Sequence, residues 1–417
     1  IFRRCSTHCS KKQIKDKMWK MWQLFYGTDF QTLMYPNFVF CHILGLFPYR
    51  INASTFETSR QRYILSTLLI CVVCIVNLRC LHQIIFTRTI NFGDLIRTLE
   101  TTSFFTIGGF ITFITYVLSR PRMRVLHAML ETSSYLPPKL YQKLCKWIHI
   151  KDILGCFFLI MQSCLFRYRV RGYSIFSALS IYMNLVVFNM DMQYMNCICI
   201  LKTCFKRINN NLVHMQKIMI NDIKPCVPSL IYHLRRNQFL LIELRILKKQ
   251  HLTVSNTVKM LNIIFSPQLL ATLVLTFTEI TFELYKHLIR WQNGLSFILD
   301  DEISDMFFLM SIGYEFFKII LIVWTCETNK NRALEISTTV HDVLNCTSDE
   351  QIKEELYLFS LQIMHCKNTL STKGLSMNAT LLAAMTGSVT TYILILTQFM
   401  IMVHSCDGKA ASNIRMT

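Results

Sequence analysis

Glu315 and Lys318 stand three residues apart inside an otherwise apolar run, Met306 to Cys326. A charge within a bilayer is costly and is usually found paired or functional, and i, i+3 spacing puts this carboxylate and ammonium on one helix face. Two readings follow: a self-neutralising structural pair, or an element coupling a binding event to a response. The other polar groups in apolar runs are hydroxyls and amides. Thr102, Phe105, Thr106, Gln162, Ser177, Ser180, Asn184, Phe307, Ser311 and Tyr314 combine aromatic walls with a few polar groups, the make-up of a small-molecule pocket. Each of them is equally suited to packing or helix capping. No His, Asp or Ser constellation recurs at helical spacing, so no enzyme and no cofactor is expected. The 17 cysteines are scattered, and the pairs Cys71/Cys74 and Cys197/Cys199 lack a second half, so no metal or redox site is expected either.

These residues need helices in a membrane to position them. Of the 417 residues, 52% are hydrophobic and only 17% charged, with a mean hydropathy of +0.35, well above a soluble domain. A spanning helix needs about 20 mostly apolar residues, and seven stretches qualify: Tyr63 to Phe86, Thr101 to Ser119, Ile153 to Phe166, Gly172 to Met190 with an apolar continuation past Asp191 to Leu201, Met260 to Thr278, Met306 to Cys326, and one within Gly374 to Cys406. The third is short unless it extends past Asp152 or Arg167. No apolar signal core follows the basic start, so the first span is expected to direct insertion.

The net charge of +19 would suggest nucleic acid in a soluble protein, but here it reflects loops. With a cytoplasmic N-terminus, the great majority of the 44 Lys and Arg residues fall on the cytoplasmic side, as the positive-inside rule requires. No nucleic-acid partner is expected. The fold class is therefore an all-α integral membrane protein with seven transmembrane helices, a cytoplasmic N-terminus and an extracellular C-terminus. Ser229 to Thr253 has an apolar stripe at Leu230, Leu234, Leu241 and Leu244 among basic residues, and 331–367 is likewise amphipathic. Both predict helical extensions forming a cytoplasmic anchor bundle. The divisions are 1–62 cytoplasmic, 63–326 the first six spans with the pocket and their extensions, 327–373 an anchor helix, 374–406 the last span, and 407–417 an extracellular tail. Glu279, Glu283, Asp300, Asp301, Glu302 and Asp305 form an acidic outer rim, either a cation-concentrating vestibule or a solvated loop. Asn52, Asn345 and Asn378 head glycosylation sequons in cytoplasmic or membrane positions, so none is expected to carry a glycan.

In the last span, Thr391-Tyr392, five residues, then Gln398-Phe399 resembles the signature of insect gustatory receptors. The upstream stretch Phe359 to Tyr392 is similar to that family's C-terminal region. Thr397 departs from the pattern, standing where the family usually has an apolar residue. The resemblance implies a tastant-gated, non-selective cation channel in the plasma membrane of chemosensory neurons. It implies a homotetramer, or a heterotetramer with related subunits, whose last helices line one pore and whose tastant is a sugar or bitter compound. Permeating cations and membrane lipid are the other partners. Ala379, Ala383, Gly387 and Thr391 recur every four residues, as do Thr380, Ala384 and Ser388, giving a face where helices can approach closely, within one subunit or between subunits. Ile395, Phe399 and Met402 share a face with Gln398 beside them. By resemblance this is the pore and gate, a hydrophobic ring with amides to hydrate cations. By the residues alone, Gln398 also suits an interhelical hydrogen bond and Phe399 a lipid or core contact. The alternatives in other classes are a seven-helix receptor of the G-protein-coupled type, which lacks Asp-Arg-Tyr and Asn-Pro-x-x-Tyr here, and a secondary transporter, which lacks an internal repeat.

Overall fold

The computed structural model describes residues 27–52, 55–87, 95–169, 174–221, 230–292, 299–372 and 374–414. Asp29 opens helix α1 (Phe30–Ile43) with a capping box: its carboxylate accepts from the Thr32 amide at 2.8 Å and the Thr32 hydroxyl accepts from the Asp29 amide at 3.3 Å. Gly45, at φ +69°, ends it with the left-handed turn that favours glycine. Phe30, Leu33, Met34, Phe38 and Cys41 of α1 are buried in the main core. Asn37 Nδ2 donates to Asn189 Oδ1 of a later helix at 2.8 Å. A hairpin, β1 (Tyr49–Asn52) with β2 (Thr55–Thr58), follows with Tyr49 opposite Thr58. Arg62 pins it by donating to the Tyr49 carbonyl at 3.1 Å.

The spans come next. They are α2 (Arg60–Ile85), α3 (Leu95–Val117), α4 (Ser119–Ser133), α5 (Pro138–Arg169), α6 (Ser174–Asn221), α7 (Leu230–Gln292), α8 (Leu299–Cys346) and, after α9 (Glu350–His365) and the hairpin β3 (Ser371–Thr372) with β4 (Leu375–Ser376), α10 (Ala379–Ile414). Among the described residues six helices are long and apolar enough to cross a membrane, and α3 with α4, bent by 63°, makes a seventh. At the bend the buried Arg122 donates to Gln268 Oε1 at 3.2 Å and lies over the Phe265 ring at 5.1 Å, fastening α4 to α7. The short third stretch is resolved by α5, a continuous helix of 32 residues that carries Asp152 and Arg167 within it.

Helix α6 is apolar on nearly all sides, and its apolar window is 67% buried, as a helix greasy all round must be. Close approach to it depends on Gly155 of α5, where an added Cβ would lie 2.6 Å from the Phe188 ring. Helix α7 has 63 residues and at 1.5 Å per residue runs roughly 95 Å, about three times the thickness of a bilayer core. The long helices must therefore project beyond the membrane, where α7, α8 and α9 pack together. Within 327–373 lie the unbroken end of α8 and then α9. Asp349 caps α9 and accepts from Asn237 of α7 at 2.7 Å. Glu355 of α9 accepts from Arg245 at 2.7 Å and Lys248 at 2.5 Å of α7.

Burial pushes the Glu355 carboxyl up, but the hydrogen bonds and charges of Lys248 and Arg245 outweigh it and hold it below the usual range. A depressed folded value means that its stabilisation is present above the unfolded value of about 4.3 and is lost as pH falls through the folded one. The protection factors of α9 amides against hydrogen exchange should therefore fall on acidification below pH ~4, and less so in Glu355→Gln. An equal fall in both would show that the pair does not hold α9.

Candidate functional site

Helices α3, α5, α6 and α8 bring together residues far apart in sequence at the end of the bundle where α5 stops and α6 begins. Phe105 of α3 meets Phe176 of α6 with ring centroids 4.8 Å apart; Phe176 meets Phe166 of α5 at 6.4 Å, and Phe166 meets Phe307 of α8 at 6.5 Å. These rings form a continuous aromatic row across four helices. One turn along α5 and α8, Gln162 Nε2 donates to Ser311 Oγ at 3.3 Å. Ser177 and Ser180 are buried on α6 near the row, Ser177 Oγ without a hydrogen bond from the protein. Asn184 is half-buried, while Thr106 is exposed and donates back to the Thr102 carbonyl of its own helix at 2.7 Å. Phe105, Gln162, Ser177, Phe307 and Ser311 thus gather in one region, and Thr102 and Thr106 stay at its edge.

Below the row the site becomes charged. Glu315 and Lys318 are both 3% exposed and pair at 2.6 Å. Lys318 Nζ also sits 5.2 Å from the centre of the buried Tyr314 ring. Thr276 of α7 donates to Glu315 Oε2 at 2.6 Å, and Thr272, one turn earlier, donates to Asp191 Oδ1 of α6 at 3.3 Å. Asp191 and Glu279 both lie within electrostatic reach of Glu315 and Lys318. The sequence marks Asp191 only as a charge past which the apolar run continues to Leu201, and Glu279 as part of an outer rim, so neither is picked out as a site residue. The signal was available: a lone carboxylate in an apolar run, faced by threonines at i, i+4 spacing.

The acidic residues read from the sequence as an outer rim are not a free field. Glu283 pairs with Lys286 at 2.7 Å, Lys286 with Glu100 of α3 at 2.8 Å, and Asp305 with Arg290 at 2.8 Å, so these charges tie α3, α7 and α8 together. The side chains of Asp300, Asp301 and Glu302 lie outside the described residues.

Helix α10 is the opposite of α6: its apolar window is only 11% buried. Ala379, Thr380, Ala383, Ala384, Gly387, Ser388 and Thr391 are all exposed, and a Cβ added at Gly387 would meet nothing within 4 Å. Tyr392 and Ile395 are 52% and 53% exposed and Gln398 is exposed too. Phe399 and Met402 continue the same helix, with side chains outside the described residues. Tyr392 touches the rest of the chain through Phe277 of α7, edge to face at 5.7 Å, and Phe277 follows Thr276, the donor to Glu315.

A bundle of long apolar helices enclosing an aromatic row and a buried charge cluster is a multi-pass membrane protein of the receptor kind. A family model described as 7tm chemosensory receptor matches residues 34–403, and the chain belongs to that family. It is similar to gustatory receptor 28a of Drosophila melanogaster, 34% identical over 116 residues, 27% of this chain and 25% of the relative. With gustatory receptor 28b of the same fly the figures are 29% over 140 residues, 32% of this chain and 29% of the relative. The matched stretch thus spans less than a third of either relative. The resemblance to gustatory receptors read from Thr391-Tyr392 and Gln398-Phe399 is borne out. In fold the chain is similar to the insect olfactory receptor OR5 from Machilis hrabei, with a TM-score of 0.65 at 12% identity over 88% of this chain and 97% of that one. The same receptor in complex with eugenol gives 0.66 at 11% identity, over 88% and 98%.

Proposed function

We propose that this chain is a subunit of a tastant-gated, non-selective cation channel in the plasma membrane of chemosensory neurons, with its N-terminus cytoplasmic. Four copies, identical or with related subunits, surround one pore lined by α10. The observation that carries this is the exposure of α10. A spanning helix whose small-residue face meets no other part of its own chain has its neighbours in other chains. The pocket is the region of Phe105, Gln162, Ser177, Ser180, Phe307, Ser311 and Tyr314. A small aromatic molecule, eugenol, occupies the structural neighbour OR5, which supports a ligand of similar size here.

The route from pocket to pore runs through two consecutive residues of α7. A ligand seated against Ser311 and Tyr314 shifts α8 relative to α7, Thr276 follows Glu315, and Phe277 carries the shift to Tyr392 in the pore helix. Only a ligand that binds the open state better can drive this. Phe277→Ala and Tyr392→Ala should each weaken ligand-evoked current, and together by less than the sum. The coupling expected for an aromatic pair is about 1 kcal/mol; strictly additive effects would remove the route. The function itself is tested by expressing the chain in voltage-clamped cells and applying sugars and a panel of bitter compounds, alone and with related subunits co-expressed. A cation current abolished by Ser311→Ala or Phe307→Ala establishes the reading. Surface-expressed chains that conduct under none of these conditions refute it.

A further inference from the structure

We infer that the exposed seam where α6 meets α8, at the cytoplasmic end of the spans, binds an anionic phospholipid through its phosphate, with Lys202 as the central contact. The site is separate from the pocket and takes from the functional reading only the sidedness of the membrane. On α8, Phe317, Ile320 and Trp324 follow one another at helical spacing and are 36%, 49% and 49% exposed, so they form one apolar stripe facing outward. Past Trp324 the same stripe turns polar, with Thr328 and then Arg332 at successive turns, both half-buried. Lys202 of α6, also half-buried, reaches this boundary. It donates to Thr328 Oγ1 at 3.0 Å, and its ammonium lies 4.7 Å from the centre of the Trp324 ring. Lys206, one turn further along α6, is exposed, and both Lys206 and Arg332 lie within electrostatic reach of Lys202.

Two observations set the depth of this boundary. The charge-free stretch of α5 ends at Asp152, and Cys199 of α6 lies within electrostatic reach of both Lys151 and Lys202, so Lys202 stands level with the inner end of that stretch. Trp147, one turn from Lys151, is 71% exposed, and exposed tryptophans such as Trp147 and Trp324 collect at the headgroup level. The charge there is not balanced. Lys151 is paired with Asp152, and Arg332 with Glu335 at 2.7 Å, but among the described residues Lys202 and Lys206 have no carboxylate partner. Thr328 and the indole hold the Lys202 ammonium in place without neutralising it, and two of its three N–H donors remain for a ligand. A zwitterionic headgroup would bring its own ammonium up to these lysines. A soluble anion would neutralise them and leave the apolar stripe uncovered. An anionic phospholipid answers both features at once: an acyl chain lies along Phe317, Ile320 and Trp324, and the phosphate accepts charge-assisted hydrogen bonds from Lys202 and Lys206.

The test uses two probes with the same chains, dioctanoyl phosphatidic acid and dioctanoyl phosphatidylcholine, added to the purified full-length receptor in nonionic detergent, with bound lipid counted by native mass spectrometry. Phosphatidic acid is expected to bind at least about tenfold more tightly. Lys206→Gln, a change at an exposed position, should weaken its binding about fivefold, and Lys202→Gln at least about tenfold. Lys202→Arg should keep it, and Arg124→Gln, which removes an exposed cation of α4, should leave it unchanged. Equal binding of the two lipids, parental affinity in Lys206→Gln, or an equal loss in Arg124→Gln, which would make the effect one of net charge, overturns the inference. So does displacement of the lipid by inorganic phosphate at about 10 mM, which would show that the lysines bind a free anion. Detergent presents the lipid to every face and binding is read without current. A chain that fails to conduct, or that proves inverted in the membrane, would therefore sink the channel reading and leave this result standing.

Discussion

Lys318→Ala is expected to cost about 3–5 kcal/mol of stability and to leave little folded receptor at the membrane. The ammonium is 3% exposed and is the only cation within the cluster of Asp191, Glu279 and Glu315 among the described residues. Without it three carboxylates on α6, α7 and α8 face one another where water is scarce, and these are the helices that hold the bundle's centre. Removing both partners is a different matter, since an uncharged pair of similar volume leaves fewer charges buried. Lys318→Met combined with Glu315→Gln should therefore recover most of the loss, while the single Lys318→Met behaves like the alanine variant. The measurement is the melting temperature of detergent-solubilised receptor by fluorescence-detected size exclusion, alongside surface expression. A single variant that melts with the parent would show that the carboxylates carry protons and that the pair contributes little. The double variant also separates the two readings of Glu315 and Lys318. If it folds and assembles but its evoked current is lost, the pair acts in coupling; if current is retained, the pair is structural.

The spans were legible because a bilayer imposes a single strong rule, a long and mostly apolar run; Thr101 to Ser119 carries no charge at all, and Tyr63 to Phe86 carries only Arg79, near enough to one end to snorkel. Helix α1 escaped that rule. At 14 residues it is too short to span and carries Pro36, and it is buried by packing on α6 instead, a contact joining Asn37 to Asn189 across 152 residues of sequence. Its start was nonetheless written locally, in Asp29 and Thr32. The site divides in the same way. Phe105, Ser177, Phe307 and Ser311 could be chosen by residue type, but the aromatic row and the bond from Gln162 to Ser311 join residues brought together only by tertiary packing. Asp191 shows why a charge count is not enough: the apolar run visibly continues past it to Leu201, and α6 runs helical through it to Asn221, but only tertiary packing sets Thr272 against it.

Phe399→Ala is expected to raise basal current about tenfold, the equivalent of ~1.4 kcal/mol taken from the closed state. In the tetrameric reading, Ile395 and Phe399 stand one turn apart along α10, and Ile395 is 53% exposed in the single chain. Four benzyl groups at one level narrow an apolar channel enough for water to leave it, and ions cannot follow. Four methyl groups leave room for water, so the closed state loses its barrier while the pocket is untouched and the response to ligand survives on a higher baseline. Phe399→Leu, which keeps an apolar ring of intermediate size, should fall between the two. Gln398 supplies the complementary test, because its exposed amide would hydrate ions once the ring opens. Gln398→Glu adds a fourfold ring of charge and should favour cations over anions more strongly, with stronger attraction of divalent ions, whereas Gln398→Leu should lower conductance without altering ligand affinity. Were Phe399 a lipid contact, none of these currents would move in channels expressed to parental levels, and α10 would be a packing helix with its pore face elsewhere.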